Sequence, residues 1–151
     1  MIDSALALDA RSGSAYIVRA RMRIGRGEVR DAWTDIELGA RTGVRWEALA
    51  LTTMLNSLDL GPAEARERIL PELRAALSPR RVLDAERAVA LAAAVVQVGD
   101  TGTALTLLEL AGTPDSRLAQ LLSDPLLTPL RSSARFEAVR RRAAVIAPGV
   151  N

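Results

Sequence analysis

Arg19, Arg23 and Arg26 fall at i, i+4 and i+7, the spacing that places side chains on one helix face. Arg11, Arg21 and Arg30 lie close by, and Glu28 is the only acid between Arg11 and Arg30. A face of one sign attracts anions, so Arg19, Arg21, Arg23 and Arg26 are candidate docking residues for an acidic peptide. The same arginines would also serve as a solvated face paired with Asp31, Asp35 and Glu37 of the next helix. Nucleic acid is disfavoured, because only Tyr16 and Trp33 could stack on bases and neither interleaves with the arginines. Further along, Thr52, Thr53 and Asn56 interrupt an otherwise apolar stretch. Thr52 and Asn56 are candidates to hydrogen-bond a partner's backbone, the alternative being that they face solvent.

Catalysis has little to work with. Histidine and cysteine are both absent, which removes the usual general base, the commonest metal ligand and the thiol nucleophile. Carboxylate pairs such as Glu64 with Glu67, or Asp31 with Asp35, sit at helical spacings on polar faces, where solubility accounts for them. Gly99-Asp100-Thr101-Gly102-Thr103 has the glycines of a phosphate loop, but it lacks the lysine and the preceding strand, and Asp100 would repel a phosphate. It reads as a turn followed by an N-cap. The expectation is a chain that is not an enzyme, with no metal and no cofactor.

The elements that would position these residues are helices. Hydrophobic residues make up 49% of the 151, dominated by Ala, Leu and Val with a single Phe and a single Tyr, a bias that suits closely packed helices over a β-sandwich. All basic residues are Arg, and the formal net charge is only +2; total replacement of Lys by Arg fits a G+C-rich genome. No stretch approaches the roughly 18 apolar residues of a membrane span. The start Met1-Ile2-Asp3-Ser4 has no basic leader, so a cytoplasmic location is expected. Caps and breaks divide the chain into helices from Ser14 to Gly25, from about Glu28 to Ala40 with Val29, Ala32, Trp33, Ile36 and Ala40 as its apolar stripe, and from Val44 to Leu58. Ala63 to Leu77 is expected to be kinked or split at Pro71. A long helix is predicted from Pro79, capped by Ser78, to Val98, and shorter ones from Thr103 to Ala111, up to Leu122, and from Ala134 to about Ile146.

Two units repeat. Tyr16-x-x-Arg19-Ala20-x-x-Arg23 precedes Gly27 and Ala32-x-x-x-Ile36, and Ala88-x-x-Leu91-Ala92-x-x-Val95 precedes Gly99 and Ala104-x-x-x-Leu108, with matching spacings throughout. This pattern resembles the tetratricopeptide repeat, in which a small residue on the first helix admits the second and a glycine turns the chain. Ala5-Leu6-Ala7-Leu8-Asp9-Ala10 is similar to the end of a preceding unit's second helix. The tail, with Asp124-Pro125-Leu126-Leu127-x-Pro129-Leu130-Arg131 and Arg135-Phe136-x-x-Val139, resembles the C-terminal part of bacterial regulatory and signalling proteins that carry such repeats.

The resemblance implies an all-α fold of antiparallel helix pairs, stacked as a short right-handed solenoid with a C-terminal capping helix. A single domain over residues 1–147 would hold a partial repeat at 1–11, repeats at 13–43 and 80–112, a degenerate repeat at 44–79 and the cap at 113–147. It also implies a protein- or peptide-binding scaffold. The alternative is a structural element that forms a homodimer through an uncovered N-terminal helix carrying Ile2, Leu6 and Leu8. Arg19 and Arg23 depart from the large apolar residues the family carries there, so burial of either would demand a carboxylate partner.

Overall fold

The computed structural model describes residues 12–79, 82–111 and 116–144. They are helical as expected: α1 Gly13–Gly25, α2 Val29–Arg41, α3 Arg45–Leu60, α4 Pro62–Ala76, α5 Ala85–Gln97, α6 Thr101–Glu109, α7 Ser116–Leu121, a 3-10 helix Pro125–Leu130, and α8 Ala134–Ala144. No strand forms among the described residues, where the only β-type pairing is an isolated parallel bridge between Leu83 and Ala111. None of the described helices is long and apolar enough to cross a membrane.

Local chemistry sets the first pair. The Ser12 hydroxyl accepts the Ala15 amide and starts α1, satisfying one of the donors that a helix start leaves free. At the other end Gly27 adopts φ 79°, a conformation that glycine reaches without steric cost. The turn is closed by Gly27 N–H to Ile24 O at 3.0 Å and Glu28 N–H to Arg23 O at 2.9 Å, the double bond of a Schellman cap. α2 then returns along α1 at close range. A Cβ on Gly39 would stand 2.8 Å from Ile17 Cδ1, so any other residue there would force Ile17 aside. The buried face of α2 is Ala32, Asp35, Ile36 and Gly39. The sequence stripe is therefore corrected: Val29 and Ala40 are exposed and Trp33 half-buried, because α1 and α3 lie against the neighbouring face.

Two further expectations are corrected. α4 runs unbroken through Pro71, so of the two outcomes expected there it is the split that is corrected. The proline deletes one amide donor, but Ala65, Ile69, Leu73 and Ala76, buried on both sides of it, hold a single apolar face to the core and outweigh that loss. α5 begins at Ala85 rather than at Pro79. Val82-Leu83-Asp84 is not helical, Leu83 being drawn into its bridge with Ala111, and Asp84 caps the helix through the Arg87 amide at 2.8 Å.

Each helix packs on its neighbours in chain order: α1 on α2, α2 on α3, α3 on α4 and α5, and α5 on α6. α5 is the centre. Every residue from Ala88 to Val96 is buried, as expected of a helix that is apolar all round, with α3, α6, α7 and the 3-10 helix packed about it. Around α1–α3 lies a smaller apolar cluster of Ile17, Ala20, Ile36, Ala48, Leu51 and Leu55. Leu126 of the 3-10 helix touches both clusters. α8 covers α6 and α7 with Phe136, Val139 and Ala143 buried. On its outer side, hydrogen bonds from Arg140 and then Arg141 hold the Glu137 carboxyl at about 2, against the weaker upward push of burial.

Candidate functional site: the face shared by α1, α3 and α5

The arginines singled out in the sequence divide once the chain is folded. Arg19 reaches Asp35 through two bonds, Nε to Oδ2 at 2.9 Å and Nη2 to Oδ1 at 2.6 Å, and Arg23 adds Nη1 to Oδ2 at 2.7 Å. Asp35 is 0% exposed while the two arginine side chains are about a quarter exposed. An ionised carboxylate can be buried only with its charge matched and its oxygens bonded, and both oxygens are taken here. Arg19 and Arg23 therefore tie α1 to α2, which makes their guanidinium groups part of the fold. Arg19 also lies 5.7 Å from the centre of the Tyr16 ring.

Arg26 stands exposed at the turn. Thr52 is half-buried, and Asn56 is buried together with Thr53. The Thr53 hydroxyl donates to Leu49 O at 2.9 Å, a bond back to its own helix. Ile2, Leu6 and Leu8, proposed from sequence as an oligomerisation edge, lie outside the described residues, as does the partial repeat 1–11.

Arg21 behaves differently. Its guanidinium reaches across to Asp124, 103 positions later, at 3.3 and 3.0 Å. The pair lines a small groove of about 60 Å³ between α1, α3 and α5, whose walls carry Glu47 and Ala50 from α3 and Glu86, Val89, Ala90 and Ala93 from α5. Leu121 and Asp124 of the C-terminal part lie over it. The groove continues past Glu47 and Glu86 into a more polar cleft with Ser14, Trp46 and Arg117, where Arg117 pairs with Glu86. Glu47, half-buried, has no ion-pair partner among the described residues.

Trp46 anchors the wall of this cleft. Arg45 and Arg87 lie 5.1 and 4.9 Å from its ring centre, a cation–π arrangement, and Glu72 of α4 binds Arg45 at 2.6 Å and approaches Arg87 at 3.9 Å. This ties the starts of α3 and α5 to α4.

Sequence reasoning identified Arg21 but missed Asp124, Glu47 and Glu86. The signal for Asp35 was present: it lies 72 residues before Leu107, as Arg19 and Arg23 lie 72 before Leu91 and Val95. For Asp124 no local signal existed, since its role as a cap accounts for it fully until the fold brings Arg21 near. Among the described residues no group of three His, Cys, Asp or Glu side chains could hold a metal ion. Compared with family models, with curated proteins and with solved structures, the chain matches none.

Proposed function

We propose that this chain is a protein- or peptide-binding module of tetratricopeptide-like build, without catalysis, serving a cytoplasmic regulatory or signalling protein of bacterial type. The observation that carries this reading is the side-by-side placement of α1, α3 and α5, the first members of three successive pairs, around one groove of mixed charge and small side chains. Partner sites in helix-pair stacks lie on such a face. Ala50, Ala90 and Ala93 form a buried small-residue floor beneath Leu121, while Arg21, Glu47 and Glu86 supply charges of both signs. The packing order, in which the first helices α1, α3 and α5 meet in succession and α2 and α4 each meet the first helix of the following pair, supports a solenoid arrangement, with α8 as the cap.

Peptide-display selection against the immobilised chain, run in parallel on the wild type and on Asp124→Asn, tests this. Enriched peptides should bind in solution and lose at least tenfold in affinity to Glu47→Arg, a reversal that breaks no ion pair among the described residues. Enrichment of nothing, or peptides indifferent to Glu47→Arg, would sink the docking reading.

A second reading, pairing of two copies through the N-terminal edge, has one observation in its favour. Val18 and Met22, four apart on α1, are both exposed and give the first helix pair an uncovered apolar strip. Sedimentation over a concentration series decides it: a monomer at every concentration removes this reading.

A further inference from the structure

We propose that the Arg21–Asp124 ion pair is an autoinhibitory latch on the groove of α1, α3 and α5, and that the partner able to open it is an acidic, leucine-bearing peptide segment. The proposal rests on the reading of that face as a docking surface and deepens it, because the chain's own C-terminal part already occupies the face. Asp124 is fixed by its own element: its Oδ1 accepts the Leu126 amide at 2.9 Å and caps the 3-10 helix. From there its two oxygens meet the fork of Arg21, with the two side chains 21% and 32% exposed. At the far end of the same segment Arg117 pairs with Glu86. Between the two pairs Leu121 lies in the groove with Ala90 and Ala93.

The segment has two kinds of leucine. Leu118, Leu122, Leu127 and Leu130 are buried in the core around α5, and a partner has no reason to dislodge them. Leu121 is only half-buried, and together with the Asp124 carboxylate it is what competes for the groove. Opening therefore requires a side-chain exchange and no unfolding of α7. An incoming segment must bring what leaves, a carboxylate for Arg21 and an aliphatic side chain for the alanine-lined floor. Intramolecular contacts act at millimolar effective concentration, so a free peptide meets a strong competitor until the latch is weakened.

The test uses the full chain, labelled for amide NMR, titrated with a synthetic peptide copying residues 118–127, whose one charged side chain is the aspartate. Asp124→Asn keeps the cap, since asparagine accepts the Leu126 amide as aspartate does, but removes the charge that holds Arg21. This variant should bind the peptide at least tenfold more tightly than the wild type, with shifts at Arg21, Glu47, Ala50 and Ala90. Adding Arg21→Gln, or replacing the aspartate of the peptide by asparagine, should return binding to the wild-type level. Asp124→Ser, a second uncharged cap, should behave as Asp124→Asn does and serves if that variant fails to fold. Equal affinity for wild type and variant, shifts confined to other helices, or binding to neither overturns the latch. The display selection is run on the wild type and on Asp124→Asn in parallel: enrichment on neither sinks the docking reading, whereas peptides that bind both chains equally overturn the latch and leave the docking reading standing.

Discussion

The pairs α1–α2 and α5–α6 are built on one backbone plan and filled with opposite chemistry. Gly27 and Gly99, 72 residues apart, have φ 79° and 81°. The bonds around Gly27 recur at Gly99, whose N–H donates to Val96 O while Asp100 N–H donates to Val95 O, both at 3.0 Å. Ala20 and Ala32 in the first pair, and Ala92 and Ala104 in the second, are all fully buried. Yet where the second pair packs Leu91, Val95 and Leu107, the first places Arg19, Arg23 and Asp35. The backbone plan thus depends on the small residues and the glycine, while the large positions tolerate either an apolar contact or a neutralised ionic one. The central pair is surrounded by protein and must be apolar. α1 has one flank toward solvent, so guanidinium groups can reach a buried carboxylate and still touch water.

Breaking the ionic triad should give the largest effect. Asp35→Leu alone leaves two guanidinium groups facing each other without their counter-ion, and removal of one partner from a buried pair costs about 3–5 kcal/mol. Because both arginines keep some exposure, the lower end is expected. Installing the second pair's residues together, Arg19→Leu, Arg23→Val and Asp35→Leu, should return stability to within about 1 kcal/mol of wild type or exceed it. Chemical denaturation measures both. A triple variant as unstable as the single one would mean that the two pairs are not interchangeable at these positions.

Next come the alanines. Ala92→Leu and Ala104→Leu overpack a core enclosed on every side and should each cost about 3 kcal/mol, whereas Ala20→Leu should cost about 1 kcal/mol because α1 can shift toward its open flank. Equal melting temperatures for Ala20→Leu and Ala92→Leu would erase the distinction between an enclosed and an edge pair.

The caps sharpen the comparison on a smaller scale. Asp100 accepts the Thr103 amide at 3.0 Å and starts α6, while Glu28 makes no such bond at the start of α2. Asp100→Ala should therefore cost about 1 kcal/mol, Glu28→Ala close to nothing, and Glu28→Asp should gain about 0.5 kcal/mol. A loss with Glu28→Asp would show that α2 starts differently from α6.

The smallest effect is a pH dependence. Burial pushes the Asp100 carboxyl upward, but the amide and hydroxyl of Thr103 and the guanidinium of Arg66 outweigh it, so the group lies below its ordinary 3.8. A carboxyl depressed in the folded state contributes stability that is present above its ordinary value and is lost as pH falls through the folded one. The stability difference between wild type and Asp100→Asn should accordingly shrink as pH is lowered below 3.8. A difference that stays constant down to the acid transition would contradict the Arg66–Asp100–Thr103 arrangement.

The features legible in the chain are those decided within a few residues of each other. Gly27 and Gly99 are legible as turns, the stretch after Gly99 as a turn and cap, and the alanines at matching spacings as points of close approach, because each answers to backbone geometry along a single stretch of chain. The buried face of α8 is legible too, since Phe136, Val139 and Ala143 follow helical spacing. The start of α5 and the continuity of α4 were not, because a bridge from Leu83 to Ala111 and a core against both halves of α4 override the local signals of Ser78-Pro79 and Pro71. Only the tertiary structure separated Arg21 from Arg19 and Arg23. Three arginines on one short stretch are alike in sequence, and what divides them is which carboxylate folding brings within reach: Asp35 from the adjacent helix, Asp124 from the far end of the chain. Charge pairing depends on distance in space, and across a separation of 103 residues nothing in local sequence encodes that distance.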